Sequence, residues 1–269
     1  MTEHLHEVSI DTLFLVAKLT KEELEEIKDQ VRFNRNWNYN SSFKYILVNI
    51  EPSYRVYIEP KFGTRLYTNS SYNIMIHLHK DAIKAKPALI TLLLKIGNWK
   101  VKVMHVAYDW NIAFSRHFIY KSDNVKMERH KGRNPSYYLY SKKTNPCIAF
   151  VYDKKNQLLE SKNINIAEKH LTRFEIRIRP RHKNAPYNDL AWVKSYMDKF
   201  TFIPDCEIVT RALAKSHDKE SFEIVRRRKG MNWKGVSKRS KEKIRDLCKV
   251  AAINFYGLFE QHSLKSNLF

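Results

Sequence analysis

Two segments carry histidine and carboxylate side chains whose types suit a metal ion. In NIMIHLHK, His77 and His79 are two residues apart, and in VKVMHVAYDW, His105 and Asp109 are four residues apart. Alternate residues of a strand point to the same face, so each pair shares a face if its segment is a strand. Imidazole and carboxylate groups can hold a divalent ion that keeps positions open for a substrate oxygen. The pattern allows a catalytic metal site, and it equally allows ordinary surface or hydrogen-bonded histidines.

A tyrosine that could act as a nucleophile stands at the end of the apolar segment CIAFVYDKK. Tyr152 is followed at once by Asp153, Lys154 and Lys155. A phenol beside cations can attack a phosphodiester phosphorus, because the cations polarise the phosphate and ease formation of the phenolate. Packing by the ring is the more common fate of a tyrosine at a strand end. Residue chemistry alone does not select Tyr152 among the chain's 15 tyrosines.

The segment RFEIRIR places apolar and charged residues in strict alternation, as in a strand with one buried face. We expect Phe174, Ile176 and Ile178 to face a core. The opposite face would then carry a charged row formed by Arg173, Glu175, Arg177 and Arg179.

The elements that must position these residues are mainly strands. Residues 8–19 predict a strand, and Thr20 with Glu23 predicts a capping box at the start of a helix. The other predicted strands are 43–50, 54–59, 73–79, 100–110, 137–141, 146–153 and 171–179, and the other predicted helices are 88–96, 189–200, 205–216 and 239–260. The basic segment 126–136 is predicted as a loop. The pattern indicates an α+β fold with a central antiparallel sheet, flanking helices and a helical C-terminal region.

The charge balance favours a polyanionic partner. The chain has 49 Lys and Arg against 28 Asp and Glu, a formal net charge of +21. A surplus of this size attracts nucleic acid, and it is not accompanied by a basic amphipathic helix that would indicate a membrane surface. Three cysteines without metal-ligand spacing favour a reducing compartment, so a cytoplasmic location without a membrane segment is expected.

The order of the segments resembles a known family. Tyr152-Asp-Lys, followed after a polar stretch by TRFEIRIR, is similar to the hallmark of the Rep_trans family of rolling-circle replication initiators from plasmids of Gram-positive bacteria. Four weaker similarities occur in the family's order: VSIDTLFLVAKL, NIMIHLHKDAI, VKVMHVAYDWN and GMNWKGVSKRSKEKIRDL. Only the Tyr152 and Glu175 segments are specific motifs.

The resemblance implies a DNA-nicking enzyme whose nucleophile matches Tyr152. The phenol would join the 5′ phosphate of one origin strand and leave a free 3′ hydroxyl to prime synthesis. Lys154 would neutralise phosphate charge, and Glu175 would serve as a metal ligand, an orienting residue or a proton acceptor. The implied domains are a nicking domain at 1–185 and an origin-recognition and dimerisation region at 186–269.

The resemblance also implies a divalent metal cofactor, although this sequence departs from the family's ligands. His77 and His105 stand where the family has carboxylates, whereas Asp109 matches the pattern. We expect these three residues to hold the ion, with the role of His79 left open. Nitrogen ligands in place of oxygen ligands favour Mn²⁺ over Mg²⁺.

Origin recognition is expected outside the nicking residues. The stretch from Lys234 to Arg245 matches the family's specificity region, and its residues expected to contact DNA are Lys234, Lys238, Arg239, Ser240 and Lys241. They can read bases in a major groove or contact phosphates only, since Lys and Arg do both. Arg173 and Arg177 are expected to contact the DNA backbone.

The implied partners are a double-stranded plasmid origin with an extruded single strand, a second copy of the chain, and the host helicase and polymerase. Two other functions remain open. A relaxase of an integrative or conjugative element would share the tyrosine chemistry and act on different DNA. A sequence-specific regulator that does not cut would bind DNA with an inactive site.

Overall fold

The computed structural model describes residues 4–32, 34–35, 42–61, 72–120, 125–130, 135–141, 147–180, 185–215, 219–228 and 235–265. The chain divides into two compact units. The tyrosine unit comprises Met1–Val8, Ala107–Arg177 and Val193–Gln261, and the histidine unit comprises Ser9–Val106, Ile178–Trp192 and His262–Phe269.

The histidine unit combines antiparallel strands with helices. Its strands are β1 (Leu5–Ala17), β2 (Asn34–Arg35), β3 (Phe43–Asn49), β4 (Tyr54–Pro60), β5 (Ile74–His79) and β6 (Lys100–Trp110), and its helices are α1 (Lys21–Gln30), α2 (Lys80–Ala85) and α3 (Ala88–Ile96). The division between the units falls within β1 and β6. The strand order is β2-β3-β4-β5-β1-β6.

Alternation within these strands forms the core of the histidine unit. Ile74 and Ile76 on β5 are fully buried, as are Val56 and Ile58 on β4, because one face of each strand packs inward. β4 and β5 pair antiparallel, with Val56 opposite Ile76. The predicted capping box is confirmed, because Thr20 accepts from the backbone N–H of Glu23 and the Glu23 side chain accepts from that of Thr20.

The tyrosine unit contains a second group of strands and the helical C-terminal region. Its strands are β7 (Phe118–Tyr120), β8 (Val125–His130), β9 (Ser136–Ser141), β10 (Cys147–Asp153), β11 (Thr172–Ile178) and β12 (Thr201–Ile203). Its helices are α4 (Lys154–Lys162), α5 (Lys194–Met197), α6 (Glu207–Lys215), α7 (Lys219–Arg228), α8 (Lys238–Ala251) and α9 (Phe255–Lys265), the last of which ends in the histidine unit. Short 3₁₀ turns lie at Phe114–Arg116 and Ala191–Val193.

The strand order in this unit is β6-β11-β10-β9-β8, and β7 pairs with β12 separately. Phe174 on β11 is fully buried, and its ring lies 4.5 Å from that of Phe255 and 4.7 Å from that of Phe202. The apolar face predicted for β11 is therefore confirmed. A second core joins the helices, with Val209, Leu213, Val225, Ile244 and Cys248 packed together.

Antiparallel pairing, flanking helices and the helical C-terminal region confirm the predicted α+β fold class. Within the described part of the chain, no helix is both long and apolar enough to cross a membrane. The functional boundary expected at residue 185 stays a prediction.

Four local predictions were wrong. Residues 125–130 form the strand β8 instead of a loop, and its charged residues suit the last strand of the order among the described residues. The helix expected at 189–200 is a 3₁₀ turn followed by the four-residue α5. The helix expected at 239–260 is broken into α8 and α9, because Ala252 is extended and Asn254 accepts from the backbone N–H of Gly257. Residues 219–228, for which no helix was predicted, form α7.

Candidate active site

The register of β10 places Tyr152 on the face opposite the core. Cys147, Ala149 and Val151 alternate with it and are fully buried. Tyr152 lies opposite Ser136 on the neighbouring strand β9. The strand ends one residue later, because the Asp153 side chain accepts from the backbone N–H of Asn156 at 3.0 Å and caps α4. The phenol therefore stands at the end of a strand, as the sequence predicts.

The tyrosine hydroxyl contacts a buried carboxylate on β11. Tyr152 Oη donates to Glu175 Oε2 at 3.0 Å, and Glu175 is only 5% exposed. The other oxygen of the carboxylate, Oε1, accepts from Arg177 Nε at 2.6 Å. The side chain of Arg177 is 43% exposed, so the arginine holds the buried carboxylate from the solvent side. This arrangement joins a candidate nucleophile to a candidate proton acceptor.

A second ion pair lies close to this contact. Arg173 and Asp109 form a bidentate pair, with Nε to Oδ1 at 2.6 Å and Nη2 to Oδ2 at 2.5 Å. Their side chains are 7% and 5% exposed. Arg173 thus lies in the interior, and its expected contact with a DNA backbone stays a prediction. A buried charge requires such a partner because desolvation is costly.

The surroundings of Tyr152 keep its phenol protonated. Burial raises the pKa of Tyr152 well above its usual value of 10, because a buried phenolate loses hydration. The nearby Arg173 opposes this effect, whereas the negative charges of Glu175 and Asp109 add to it. An attack by this oxygen at neutral pH therefore requires a base in contact, and Glu175 is in that position.

Lys154 lies beside the tyrosine, at the first residue of α4. Its Nζ is 5.9 Å from the centre of the Tyr152 ring and donates to Gln157 Oε1 at 2.8 Å. The ammonium group is therefore near the phenol and has a hydrogen bond within its own helix. Its expected role in neutralising phosphate charge stays a prediction.

The three histidines singled out in the sequence belong to the histidine unit. His77 stacks on Phe14 with ring centres 3.9 Å apart, and its ring lies 4.4 Å from that of His79. Burial, followed by the positive charges of His79, Arg55 and His105, lowers the pKa of His77 to about 4. His77 Nε2 is buried and has no hydrogen-bond partner among the described residues. A neutral imidazole with such an atom has the chemistry of a metal ligand.

The low pKa of His77 predicts acid sensitivity. The pKa of His77 is about 4 in the folded chain, whereas its usual value is 6.5. The neutral ring therefore contributes its full stabilisation to the fold above pH 6.5, and this contribution is lost as the pH falls towards 4. Part of the ring is solvated, so we expect a loss of about 1–2 kcal/mol of unfolding free energy between pH 7 and 4.5. Urea denaturation of His77→Gln at both values should show a smaller loss than the unmodified chain.

The matched control for this experiment is His170→Gln, which removes an exposed histidine. It should keep the pH dependence of the unmodified chain. Equal pH dependence in His77→Gln and the unmodified chain would contradict the assignment.

The predicted metal ligands are not brought together as one group. Within the ranges that the structure describes, no three or more His, Cys, Asp or Glu side chains are arranged to hold a metal ion. Both oxygens of Asp109 accept hydrogen bonds from Arg173. Residues four apart on an extended strand are about 13 Å apart, so strand geometry alone does not bring His105 and Asp109 to one ion. The metal set of His77, His105 and Asp109 stays a prediction.

The expected origin-contacting residues differ in accessibility. Lys238 and Arg239 are exposed at the start of α8, and Lys241 is half-buried. Ser240 is 3% exposed and donates to Glu220 Oε2 at 2.8 Å, so its hydroxyl supports the packing of α8 on α7. Lys234 lies outside the described residues. The exposed cations keep their expected role as a prediction.

The contact of Arg177 with Phe150 escaped the sequence analysis. The guanidinium carbon of Arg177 lies 4.1 Å from the centre of the Phe150 ring on β10. Alternation places Phe150 on the face of Tyr152, which is the one signal that could have indicated it.

Comparison with known proteins finds similar solved structures. No protein-family model and no curated protein matches the chain. The structure of the rolling circle replication initiator protein from Geobacillus stearothermophilus is similar at a TM-score of 0.45 and 13% identity, over 91% of this chain and 96% of that chain. A likeness of this size carries no argument about function. Membership of the Rep_trans family therefore stays a prediction.

Proposed function

We propose that the chain initiates rolling-circle replication by binding the double-strand origin of a plasmid and nicking one strand with Tyr152. The observation that carries the proposal is the hydrogen bond from the Tyr152 hydroxyl to the buried Glu175 carboxylate at 3.0 Å. A nucleophile in contact with a base that a third group orients is the arrangement of covalent catalysis. The net charge of +21 supports a nucleic-acid substrate.

The proposed reaction is a transesterification. The Tyr152 oxygen attacks the scissile phosphorus and forms a phosphotyrosine bond to the 5′ side, while the bond from phosphorus to the 3′ oxygen breaks. The phenol proton passes to Glu175, and the leaving 3′ oxygen takes up a proton to become the free hydroxyl. The bond energy is kept in the phosphotyrosine, so a later 3′ hydroxyl can reverse the step.

Arg177 and Arg173 act on this step in different ways. Arg177 holds Glu175 Oε1, which turns the second oxygen towards the phenol. The positive charge of Arg173 lowers the pKa of Tyr152 and so favours the developing phenolate. Lys154 near the ring adds a further positive charge for the phosphate.

A divalent ion remains part of the proposal on the strength of the sequence resemblance. His77 and His105 are its proposed ligands. The feature that suits a ligand is Nε2 of His77, which has no hydrogen-bond partner in the part of the chain that the structure describes. A divalent ion held there would supply the chemistry of a Lewis acid. The steps above use the chain's own groups. The proposed assembly is a homodimer on the origin that recruits a host helicase and polymerase.

The proposal is tested by trapping the covalent product. Supercoiled plasmid carrying the cognate origin is incubated with the protein and Mn²⁺, and the DNA-linked peptide is identified by mass spectrometry. The expected result is a 5′-phosphotyrosine at residue 152. An adduct at another residue would contradict the nucleophile assignment. Origin binding without any cutting would favour the regulator that does not cut.

Replacing Glu175 by Gln should slow nicking about 100-fold at neutral pH, the order of a general-base contribution. The amide keeps the shape of the side chain but cannot take the phenol proton. Its nicking rate should continue to rise at alkaline pH, because the proton must then be lost to solvent and burial raises the pKa of Tyr152. The measurement is the single-turnover nicking rate from pH 6 to 10.

Glu160→Gln on α4 is the matched control for this substitution, because Glu160 is exposed. It should keep the rate and pH profile of the unmodified chain. A Glu175→Gln rate within threefold of the unmodified rate would remove Glu175 from the proton transfer.

A further inference from the structure

One face of the strands in the tyrosine unit carries a row of aromatic and cationic side chains. The register places Tyr138 opposite Phe150, and Tyr140 opposite Ile148. Side chains of directly opposite residues share a face, and so do residues two apart on one strand. Phe150 and Tyr138 are therefore on the same face as Tyr152.

The row is continuous through direct contacts. The His130 ring lies 4.3 Å from that of Tyr138, and the Tyr138 ring lies 4.7 Å from that of Phe150. The Arg177 guanidinium lies 4.1 Å from the Phe150 ring, and Arg177 in turn contacts Glu175. The row thus leads from β8, the last strand of the order, to the carboxylate that binds the Tyr152 hydroxyl.

Accessibility distinguishes this row from core packing. His130 is exposed, Tyr138 and Phe150 are half-buried, and the Arg177 side chain is 43% exposed. On the opposite face of β9, Tyr137 and Leu139 are 4% and 1% exposed. The core therefore uses the other face, and the rings of the row are accessible to a ligand.

The chemistry of the row fits unpaired nucleobases. Aromatic rings and guanidinium planes stack on the flat faces of bases, and neighbouring cations follow the phosphates. In a duplex these base faces are covered by the adjacent base pairs. Glu128 on the same face is paired with Lys126 at 3.0 Å and accepts from the Tyr140 hydroxyl, so its charge is compensated.

We propose that His130, Tyr138, Phe150 and Arg177 form a stacking platform that holds unpaired bases of single-stranded DNA beside Tyr152. The placement of the scissile phosphate at Tyr152 rests on the proposed function. Binding of bases to the platform does not depend on cutting. The two statements can therefore be tested separately.

The experiment measures DNA binding in the Tyr152→Phe protein, which cannot form the adduct. Fluorescence anisotropy is recorded with a fluorescein-labelled oligothymidine of 16 nucleotides and with a duplex of the same length. Tyr138→Ala should weaken single-strand binding about 5- to 100-fold, the range for loss of one stacked base. Tyr138→Phe keeps the ring and should bind within about twofold of the parent, and duplex binding should change by less than about twofold in both variants.

His130→Ala is a second test, because its exposed ring can be removed without opening the core. It should weaken single-strand binding about threefold or more. The matched control is Tyr57→Ala, which removes a half-buried strand tyrosine of the histidine unit and should leave binding unchanged. Thermal unfolding identifies any variant that fails to fold.

Single-strand binding within twofold of the parent in both folded variants, Tyr138→Ala and His130→Ala, would overturn the platform. An equal loss for single strand and duplex would also overturn it. Failure of the unmodified chain to nick its origin, with binding still dependent on the ring at 138, would remove the proposed function and leave the platform standing. Nicking at Tyr152, combined with single-strand binding that does not depend on the ring of Tyr138, would support the proposed function and overturn the platform.

Discussion

Replacing Tyr152 by phenylalanine should abolish nicking of a supercoiled origin, by about 10⁴-fold or more, which is the order of loss when a covalent nucleophile is removed. The variant keeps the ring and loses only the oxygen that attacks phosphorus. It also loses the hydrogen bond to Glu175, worth about 0.5–1.5 kcal/mol of unfolding free energy. The carboxylate keeps its bond to Arg177, so the fold should be retained.

The measurement compares the fraction of supercoiled plasmid nicked in a single turnover with the covalent adduct recovered after denaturation. Tyr140→Phe is the matched control, because it removes a hydroxyl from the same face of the sheet, where that hydroxyl donates to Glu128. The control should nick and form the adduct as the unmodified chain does. Persistent adduct in Tyr152→Phe would assign the nucleophile to another residue.

The strands that form this site were predictable because their alternation is strong. β6 was predicted with the observed bounds, and the two faces of β11 separate as expected, with Phe174 in the core and Glu175 beside Tyr152. In contrast, α4 has no buried residue and therefore has no apolar periodicity to indicate a helix. Its start is set by the Asp153 cap, a local signal that the sequence analysis did not use.

Partners distant in sequence could not be predicted from local pattern. Alternation groups Arg173 with Glu175 and Arg177 on one charged face, and a charged face is usually solvated. The structure separates them: Arg177 is 43% exposed, whereas Arg173 is buried against Asp109, 64 residues away along the chain. Only the pairing of strands decides which charges of the row are covered. The same pairing of strands brings the Glu175 carboxylate to the Tyr152 hydroxyl.

Breaking the buried ion pair should have the largest effect on stability. Arg173→Met should lower the unfolding free energy by about 3–5 kcal/mol, because it leaves Asp109 buried and unpaired, and Asp109→Leu should have a similar effect. The double variant Arg173→Met, Asp109→Leu should regain most of this loss, since replacing a whole buried pair by apolar residues is close to neutral. Urea denaturation of the four proteins completes a double-mutant cycle.

The control is Lys194→Met, which removes the cation of a pair whose side chains are 58% and 50% exposed. It should change the unfolding free energy by less than about 1 kcal/mol. Losses below 1 kcal/mol in Arg173→Met and Asp109→Leu, or a double variant whose loss equals their sum, would contradict a coupled buried pair.

The folded double variant also decides what the pair does in the reaction. Arg173 lowers the pKa of Tyr152 and Asp109 raises it. The double variant loses both contributions, and because they are opposite in sign, their losses offset each other. If the pair serves packing, nicking by the double variant should stay within about tenfold of the unmodified rate. A loss of about 100-fold or more in the folded double variant would instead return Arg173 to phosphate binding or Asp109 to the metal, the roles expected from the sequence.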